Sequence, residues 1–326
     1  MDRRTFVTGL GASAVAAPAL LTAAPSRAAE PLKVGVFPVG AALPYFVALK
    51  RGYFAEAGLA CETVTLGTPA LIVQALVTGT IDATSNLVTL EGANISVRRP
   101  GTLKYVSLVA QNSEHVFEQF VVRTGHPAKT LADLKGARLF TSPGPANIGI
   151  SKAVLAKAGL REGADYQIQE MQLSNHLGAL KSGAFDGGYT LEPVATALIQ
   201  QGVARRIEAG VIATYLIGDR TADAYAAGAA VSASLLKTRP ETAARFAQAW
   251  SRAMKDVASD PSVRAYLVSD MNVPPELAKD VPLSHFVEIK SLSERQLRDF
   301  QTFVDFGASI GVVAGQIDVR TLIETI

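Results

Sequence analysis

The sequence predicts an α/β protein with two lobes, each a mostly parallel β-sheet flanked by helices, followed by a helical C-terminal tail. The first observation is an alternation of short apolar strands with amphipathic helices, which is typical of parallel sheets. The second is a repeat, because ALVTGTIDA at residues 75–83 is similar to ALKSGAFDG at residues 179–187, 104 positions later. The third is length: the 298 residues that follow a predicted N-terminal signal exceed the usual size of one compact domain.

The repeated segment marks a point where a helix ends and a strand begins. Gly79 and Gly183 follow helical patterns, and glycine favours the left-handed position that ends many helices. Asp82 and Asp186 then stand at the entrance of the following strands, where we expect a structural role. One such joint would be unremarkable, but two of them in two β-α-β-α-β alternations predict two lobes with a common plan.

The predicted elements run in the same order in both lobes. The first lobe has a strand at 32–37, a helix at 44–57, a strand at 61–66, a helix from Thr68 to Gly79 and a strand from Ile81. Strands at 103–110 and 117–122 follow, and the second of these is expected to cross into the other lobe. The second lobe has a strand at 137–141, a helix at 147–158, a strand at 166–171 and a helix at 175–182.

The chain must return to the first lobe, because the tail after Pro240 is almost wholly helical in pattern. We expect the return between about residues 212 and 230, next to a strand-like run at 229–236. The tail helices are predicted at 240–257, 261–268, 275–280 and 294–310. The lobe boundaries that follow are 30–117 together with 219–326 for the first lobe, and 118–218 for the second.

Residues 1–28 are predicted to be a cleaved export signal. A charged start is followed by a weakly apolar run at 9–24 and by Ser26-Arg27-Ala28, which supplies small residues at both cleavage positions. Arg3-Arg4 with Phe6 resembles the twin-arginine signal, which exports folded proteins; an ordinary Sec signal is the alternative. The mature protein is therefore expected to be soluble and periplasmic.

The composition excludes several classes of function. Removal of residues 1–28 leaves 28 basic and 28 acidic side chains, so the mature chain has no electrostatic footprint for nucleic acid. The single cysteine, Cys61, excludes an internal disulfide and a cysteine metal cluster. The four histidines are too scattered to form a metal-ligand motif, so we expect neither a metal nor a cofactor.

Four segments resemble the solute-binding proteins of nitrate-, sulfonate- and taurine-type ABC importers. They are VALKRGYFAEAGLACETVTL, ALVTGTIDA, LADLKGARL and ALKSGAFDGGYTLEPV, and the likeness extends over nearly all of the mature chain. The resemblance implies a type II periplasmic binding protein, with ligand held between two lobes that close about a hinge. It also implies a monomer that delivers its ligand to an importer permease and ATPase.

The ligand site is expected at the carboxyl ends of the strands, where open parallel sheets bind ligands. The candidate ligand-binding residues are Gly40, Ala41, Tyr45, Gly67, Thr68, Asn86, Gln111, Asn112, Ser142, Gly144, Asn147, Ser174, His176, Tyr189, Thr190 and Glu192. Ser, Thr and Asn at helix starts, with few basic side chains, leave backbone N–H groups and helix dipoles to neutralise an anion. The alternative for each polar residue is that it merely caps its helix.

Some of these residues have specific alternatives. Tyr45 and Tyr189 could stack on a ligand, whereas Phe37 better fits a core position. His176 fits ligand contact and a solvated surface position about equally. Glu192, followed by proline, matches an acidic-Pro pair of the resembled family; it either accepts a hydrogen bond from an amine or a cleft side chain, or caps its own helix.

The sequence thus predicts a non-enzymatic receptor for a small organic anion such as a sulfonate or carboxylate. Nitrate, taurine, aromatic acids and pyrimidines stay open as ligands, but the apolar loop at 39–44 favours an organic anion. The alternatives are a sensor subunit or an exported lyase on the same scaffold. One enzymatic branch of related sequences uses an iron site and a cysteine-rich motif, which this chain lacks, and no activating pair for a base at Glu192 or His176 is visible.

Overall fold

The computed structural model describes residues 30–326, which form two β-sheets with helices packed against them. The predicted signal at 1–28 lies outside the described residues. The strands, in chain order, are β1 (Leu32–Val36), β2 (Cys61–Thr65), β3 (Ala83–Val88), β4 (Leu103–Tyr105), β5 (Ser107–Gln111), β6 (Glu118–Arg123), β7 (Arg138–Thr141), β8 (Gln167–Glu170), β9 (Gly187–Leu191), β10 (Ala204–Ala209), β11 (Ala224–Ser232) and β12 (His285–Glu288).

The helices alternate with these strands and then dominate the tail. In chain order they are α1 (Leu43–Lys50), α2 (Tyr53–Glu56), α3 (Pro69–Thr78), α4 (Thr89–Arg98), α5 (Pro145–Lys157), α6 (His176–Lys181), α7 (Val194–Gln200), α8 (Ala233–Thr238), α9 (Pro240–Ser259), α10 (Ala265–Met271) and α11 (Glu294–Ser309). Over residues 30–326, each helix is too short or too polar to cross a membrane.

The first lobe is built on a seven-stranded sheet with the order β12-β5-β11-β3-β1-β2, in which β4 also pairs with β11. Strand β1 runs parallel to β2 and β3, whereas β11 is antiparallel to β3, β4 and β5. The five strands β1 to β5 therefore point in one direction, and β11 and β12 run against them.

The second lobe is built on a five-stranded sheet with the order β10-β6-β9-β7-β8. Strand β7 is parallel to β8 and β9, and β6 runs antiparallel to β9 and β10. The chain crosses between lobes after β5 and returns before β11, so the two reversed strands β6 and β11 follow the crossings. The predicted two-lobed type II plan is confirmed; the lobe boundaries at 117/118 and 218/219 stay a prediction.

The repeated segment has the same structural role in both lobes. Gly79 and Gly183 both adopt left-handed backbone conformations, with φ of 73° and 71°. The carboxylate of Asp82 accepts a hydrogen bond from the Lys33 N–H (3.0 Å), and that of Asp186 accepts one from the Arg138 N–H (2.9 Å). Each aspartate thus ties its strand entrance to the neighbouring parallel strand, as its position after the helix-ending glycine predicts.

The structure departs from the predicted elements in several places. The helix at 44–57 is divided between α1 and α2, because Gly52 adopts a left-handed conformation (φ 78°) between them. The run at 229–236 is divided between β11 and α8, where the Ser232 hydroxyl caps the helix. Residues 275–280 form turns, and the tail contains strand β12, which becomes ordered by pairing with β5. Such short apolar runs take their structure from tertiary pairing.

Candidate ligand-binding site

A small, mostly apolar cavity lies between the two sheets. Its volume is about 30 Å³, far less than an organic ligand needs, so the two lobes lie close together here. The first lobe contributes Phe37, Val39, Ala41, Asn86, Val88, Val109, Gln111, Ala226 and Ala227. The second lobe and the crossing that leads into it contribute Phe117, Asn147, Ile150, Tyr189 and Leu191.

The cavity lies where parallel strands end. Phe37 directly follows β1, Gln111 is the last residue of β5, and Asn147 lies in the first turn of α5. These positions agree with the rule that ligands bind outside the carboxyl ends of parallel strands. Five of the predicted ligand-binding residues line the cavity: Ala41, Asn86, Gln111, Asn147 and Tyr189.

The lobes touch directly beside the cavity. The Gly40 N–H donates a hydrogen bond to the carbonyl oxygen of Glu192 across the cleft (3.1 Å). A Cβ atom at Gly40 would lie 3.5 Å from the Phe117 ring and 3.7 Å from the Glu192 carbonyl oxygen. The glycine therefore permits a close approach between the backbones of the two lobes.

The side chain of Glu192 serves its own lobe. Its Oε1 accepts a hydrogen bond from the Gln119 amide (2.6 Å), and its Oε2 accepts one from the Thr196 N–H (3.1 Å). Burial raises the pKa of Glu192, and these hydrogen bonds together with Arg206 at 3.8 Å oppose that shift. One carboxylate oxygen thus caps helix α7 and the other is bound by Gln119 of β6, which favours the capping alternative over ligand contact for the side chain.

The N-terminus of α5, which sequence reasoning offered to an anion, is contacted by two carboxylates. The Gly144 N–H donates to Oε1 of Glu170 (3.0 Å), and the Ala146 N–H makes a long hydrogen bond to Oε1 of Glu91 (3.5 Å). Glu91 belongs to α4 of the first lobe, so its carboxyl group reaches across the cleft. Burial raises the pKa of Glu91 to about 8, and the charge of Glu170 adds to the shift.

Sequence reasoning did not select Glu91. An acidic residue in the first turn of a helix resembles an ordinary complement to the helix dipole, so the sequence carries no sign that it contacts the other lobe. The apolar cavity residues, such as Val109 and Ile150, were missed because they look like core strand and helix positions. Phe37 was considered, but as a core residue.

Three predicted residues pack inside the lobes rather than at the cavity. The Tyr45 hydroxyl is hydrogen-bonded to Thr63 Oγ1 (2.7 Å), and its ring packs against Phe46 and Phe54 in the first lobe. His176 is fully buried, with Nδ1 3.0 Å from Thr190 Oγ1 and its ring 4.1 Å from that of Phe140. Burial lowers the pKa of His176 to about 4, so it is neutral.

The position of Thr190 follows from strand geometry. Tyr189 and Leu191 line the cavity, and successive strand residues point to opposite faces, so Thr190 points away from the cleft. The sequence placed this strand correctly but could not tell which of its residues face the cleft. The interpretation of Tyr45, His176 and Thr190 as ligand-binding residues is corrected accordingly.

The remaining predicted residues shape loops around the site. Gly67 and Ser174 are exposed, and Thr68 caps α3 by accepting from the Leu71 N–H (3.3 Å). Asn112 holds the first crossing, because its Oδ1 accepts from the N–H groups of residues 114 and 115 (both 2.9 Å). The Ser142 hydroxyl donates to the Tyr189 carbonyl (3.3 Å). These contacts fit the capping alternative.

We expect Thr190→Val to lower the free energy of unfolding by about 1 kcal/mol, because the buried hydrogen bond to His176 is lost. Ligand affinity should not change, since the side chain points away from the cavity. Chemical denaturation of the unliganded protein measures the first effect, and ligand titration measures the second. Ser174→Ala is the matched control, exposed and expected to change neither. A tenfold loss of affinity in Thr190→Val would return this residue to the ligand site.

Comparison with known proteins agrees with this architecture. A model of the NMT1/THI5-like family matches residues 41–263. The alkanesulfonate-binding protein SsuA from Xanthomonas axonopodis pv. citri, solved with bound MOPS, superposes with a TM-score of 0.73 at 18% identity, covering 91% of this chain and 98% of that one. The periplasmic nitrate-binding protein NrtA from Synechocystis PCC 6803 has a TM-score of 0.72 at 15% identity, covering 89% of this chain and 84% of that one.

The same fold also carries an enzyme. The desulfurization enzyme DSZB superposes with a TM-score of 0.63 at 16% identity, covering 90% of this chain and 96% of that one. No functionally curated protein matches the chain in sequence. Since these structural identities are low, they establish the fold, whereas the family match extends over more than half of the chain. The chain therefore belongs to the NMT1/THI5-like family and has the two-lobed fold of the periplasmic binding proteins.

Proposed function

We propose that the protein is an exported, monomeric receptor that captures a small organic anion between its lobes and delivers it to an ABC importer. The observation that carries the proposal is the cavity enclosed between the carboxyl ends of two facing sheets. Family membership and the fold shared with an alkanesulfonate-binding and a nitrate-binding protein support the receptor function. The small volume is that of the closed state, so a ligand larger than water enters through an open state.

The positions of the two candidate bases support a receptor over an enzyme. His176 is buried on the far face of the second sheet and keeps a neutral ring, because burial lowers its pKa. Both oxygens of Glu192 already accept hydrogen bonds within the second lobe. General acid–base catalysis needs a group within hydrogen-bond reach of the substrate. Neither residue offers such a group to the cavity.

The chemistry of the lining supports a ligand with a large apolar part. Among residues 30–326, no charged side chain lines the cavity, and Phe37, Phe117 and Tyr189 supply flat apolar surface. An anionic group would then lie near the start of α5, where it would replace the Glu170 and Glu91 carboxyl groups as the acceptor of the Gly144 and Ala146 N–H groups. Burial raises the pKa of Glu91 to about 8, and its Oε2 has no hydrogen-bond partner among the described residues; in its protonated form the carboxyl could donate a hydrogen bond to such an anion.

A thermal-shift screen of small sulfonates and carboxylates tests the receptor function. A ligand that binds only the native state raises the melting temperature by mass action. At least one compound should do so and should be recovered unchanged after prolonged incubation. Conversion of the bound compound into a product would show that the protein is an enzyme and not a receptor.

Export has a separate test. Changing Arg3 and Arg4 together to Lys should stop export, because the twin-arginine pathway reads the arginine pair rather than its charge. Cell fractionation of the expressing host measures the result, and sequencing of the exported wild-type protein should give Ala29 as its first residue. Normal export of the double-Lys variant would contradict the twin-arginine prediction and leave the Sec pathway as the export route.

A further inference from the structure

The side-chain amide of Gln111 differs from the other amides of the cavity. Gln111 is 2% exposed and lines the cavity, yet its Oε1 has no hydrogen-bond partner among the described residues. Asn86, by contrast, accepts from the Phe37 N–H (3.2 Å) and donates to the Phe37 carbonyl (2.8 Å). Asn147 donates to the Pro143 carbonyl (2.7 Å). Both asparagine side chains are thus hydrogen-bonded to backbone groups, whereas Oε1 of Gln111 is not.

The fold does not need an amide at this position. Gln111 ends β5, and its place is set by backbone pairing opposite Ala224 of β11. The adjacent Asn112 already holds the crossing through Asp223 and the turn at residues 114 and 115. A buried polar group without a partner costs folding free energy, and an apolar side chain of similar length would avoid that cost. An unpartnered amide that faces a ligand cavity is therefore explained by the ligand.

We propose that Gln111 selects the solute by pairing its side-chain amide with a ligand edge that carries a hydrogen-bond donor and acceptor side by side, as a carboxamide or lactam does. The amide of Gln111 offers one acceptor oxygen and N–H donors in the same plane. A ligand edge with a donor next to an acceptor can therefore pair with it whichever way the amide group is turned. The edge is neutral, because no charged side chain lines the cavity. This inference rests on the proposed receptor function and adds the ligand group that the cavity recognises.

The walls beside Gln111 define the rest of the ligand. Phe37, Phe117 and Tyr189 are aromatic, and Val109 is aliphatic, so the amide edge should belong to a flat or apolar body. The anionic group of the proposed ligand would lie at the other end of that body, towards the start of α5. A compound with one carboxamide and one carboxylate on a small ring combines both features.

One arm of the test needs no ligand. Gln111→Met should raise the melting temperature of the unliganded protein, because it removes an unpartnered buried amide and keeps the side-chain length. Asn86→Leu is the contrasting variant and should lower the melting temperature, because both of its hydrogen bonds to Phe37 are lost. If Gln111→Met lowers the melting temperature as Asn86→Leu does, the amide has a structural partner and the proposal falls.

The second arm uses three probes that share a benzoate and differ only in the group opposite its carboxylate. They are 4-carbamoylbenzoate, its N,N-dimethyl derivative, and terephthalate, in which a second carboxylate replaces the carboxamide. The wild-type protein should bind the first at least tenfold more tightly than the other two in calorimetric titration, and Gln111→Met should abolish that preference. Equal or absent binding of all three would overturn the role of Gln111. A different result would contradict the receptor function itself: no sulfonate or carboxylate in the wider screen raises the melting temperature.

Discussion

Replacing Gly40 by leucine should abolish ligand-induced stabilisation and leave the unliganded protein folded. A Cβ at this position lies 3.5 Å from Phe117, 3.7 Å from the Glu192 carbonyl and 3.8 Å from Ser284 Oγ, all ordinary contact distances. The atoms of leucine beyond Cβ have no space between these groups unless the lobes move apart. Because closure surrounds the ligand, we expect affinity to fall by roughly 100-fold, which corresponds to about 2.7 kcal/mol.

Two control variants separate the blocked closure from a general defect. Gly40→Ala should keep most of the affinity, since its Cβ fits within the closed contact. Gly178→Leu adds the same bulk on helix α6, where nothing lies within 4 Å of the new Cβ, and should leave affinity unchanged. Calorimetric titration and thermal unfolding measure both properties. Wild-type affinity in Gly40→Leu would mean that the ligand does not require the closed contact between Gly40 and Glu192.

Stability should fall as the pH rises from about 5 to about 8. Glu91 and Glu118 are buried, each has one carboxylate oxygen without a partner, and burial raises the pKa of both to about 8. Their usual pKa is 4.5, so the unfolded chain loses these protons first. The contribution of these two carboxyls to stability is therefore complete below about pH 4.5 and is lost as the pH rises towards 8, by up to about 1.4 kcal/mol per pH unit for each group.

The ionisable groups that face Glu91 and Glu118 do not reverse the predicted fall in stability with rising pH. Glu170 lies near Glu91 and adds negative charge, and the buried hydroxyls of Tyr105 and Tyr189 remain neutral because burial raises their pKa. His176 acts in the opposite sense at low pH: its pKa is lowered to about 4, so stability falls as the pH drops below 6.5. The two effects together predict greatest stability in mildly acidic solution.

Chemical denaturation between pH 5 and pH 9 measures this dependence. The variants Glu91→Gln and Glu118→Gln should each flatten part of the fall in stability, because an amide has no proton to lose. Glu62→Gln, an exposed position on β2, is the control and should keep the wild-type profile. A wild-type stability that does not change between pH 5 and pH 8 would mean that both carboxyls are solvated or paired in solution.

Local sequence signals predicted most of the architecture. The glycine that ends α3, its Thr68 cap and the aspartate that follows are local features, and the repeat of glycine and aspartate indicated the second lobe. The strand ends that approach the cleft were also predictable, because parallel strands present their carboxyl ends at one edge of a sheet. Ala41 and Asn147, in the segments that follow β1 and β7, reach the cavity for that reason.

Contacts between distant segments could not be predicted in this way. The direction of a side chain depends on register, so Tyr45 and Thr190 looked like cleft residues although they face the lobe interiors. The contact of Glu91 with α5 joins residues 55 positions apart in different lobes. Strand β12 forms because β5 offers it a free edge, and no local pattern in the tail specifies that edge.

The distance between the lobes with and without ligand shows whether the protein closes around a captured solute. Nitroxide labels at Ala70 on α3 and at Ser174 in the second lobe, both exposed, can be placed in a Cys61→Ser background and measured by double electron–electron resonance. We expect a broad distance distribution that becomes narrow and shorter when a stabilising organic anion is added, and no such change in Gly40→Leu. The same distribution before and after saturation with a bound ligand would contradict closure of two lobes around a captured solute.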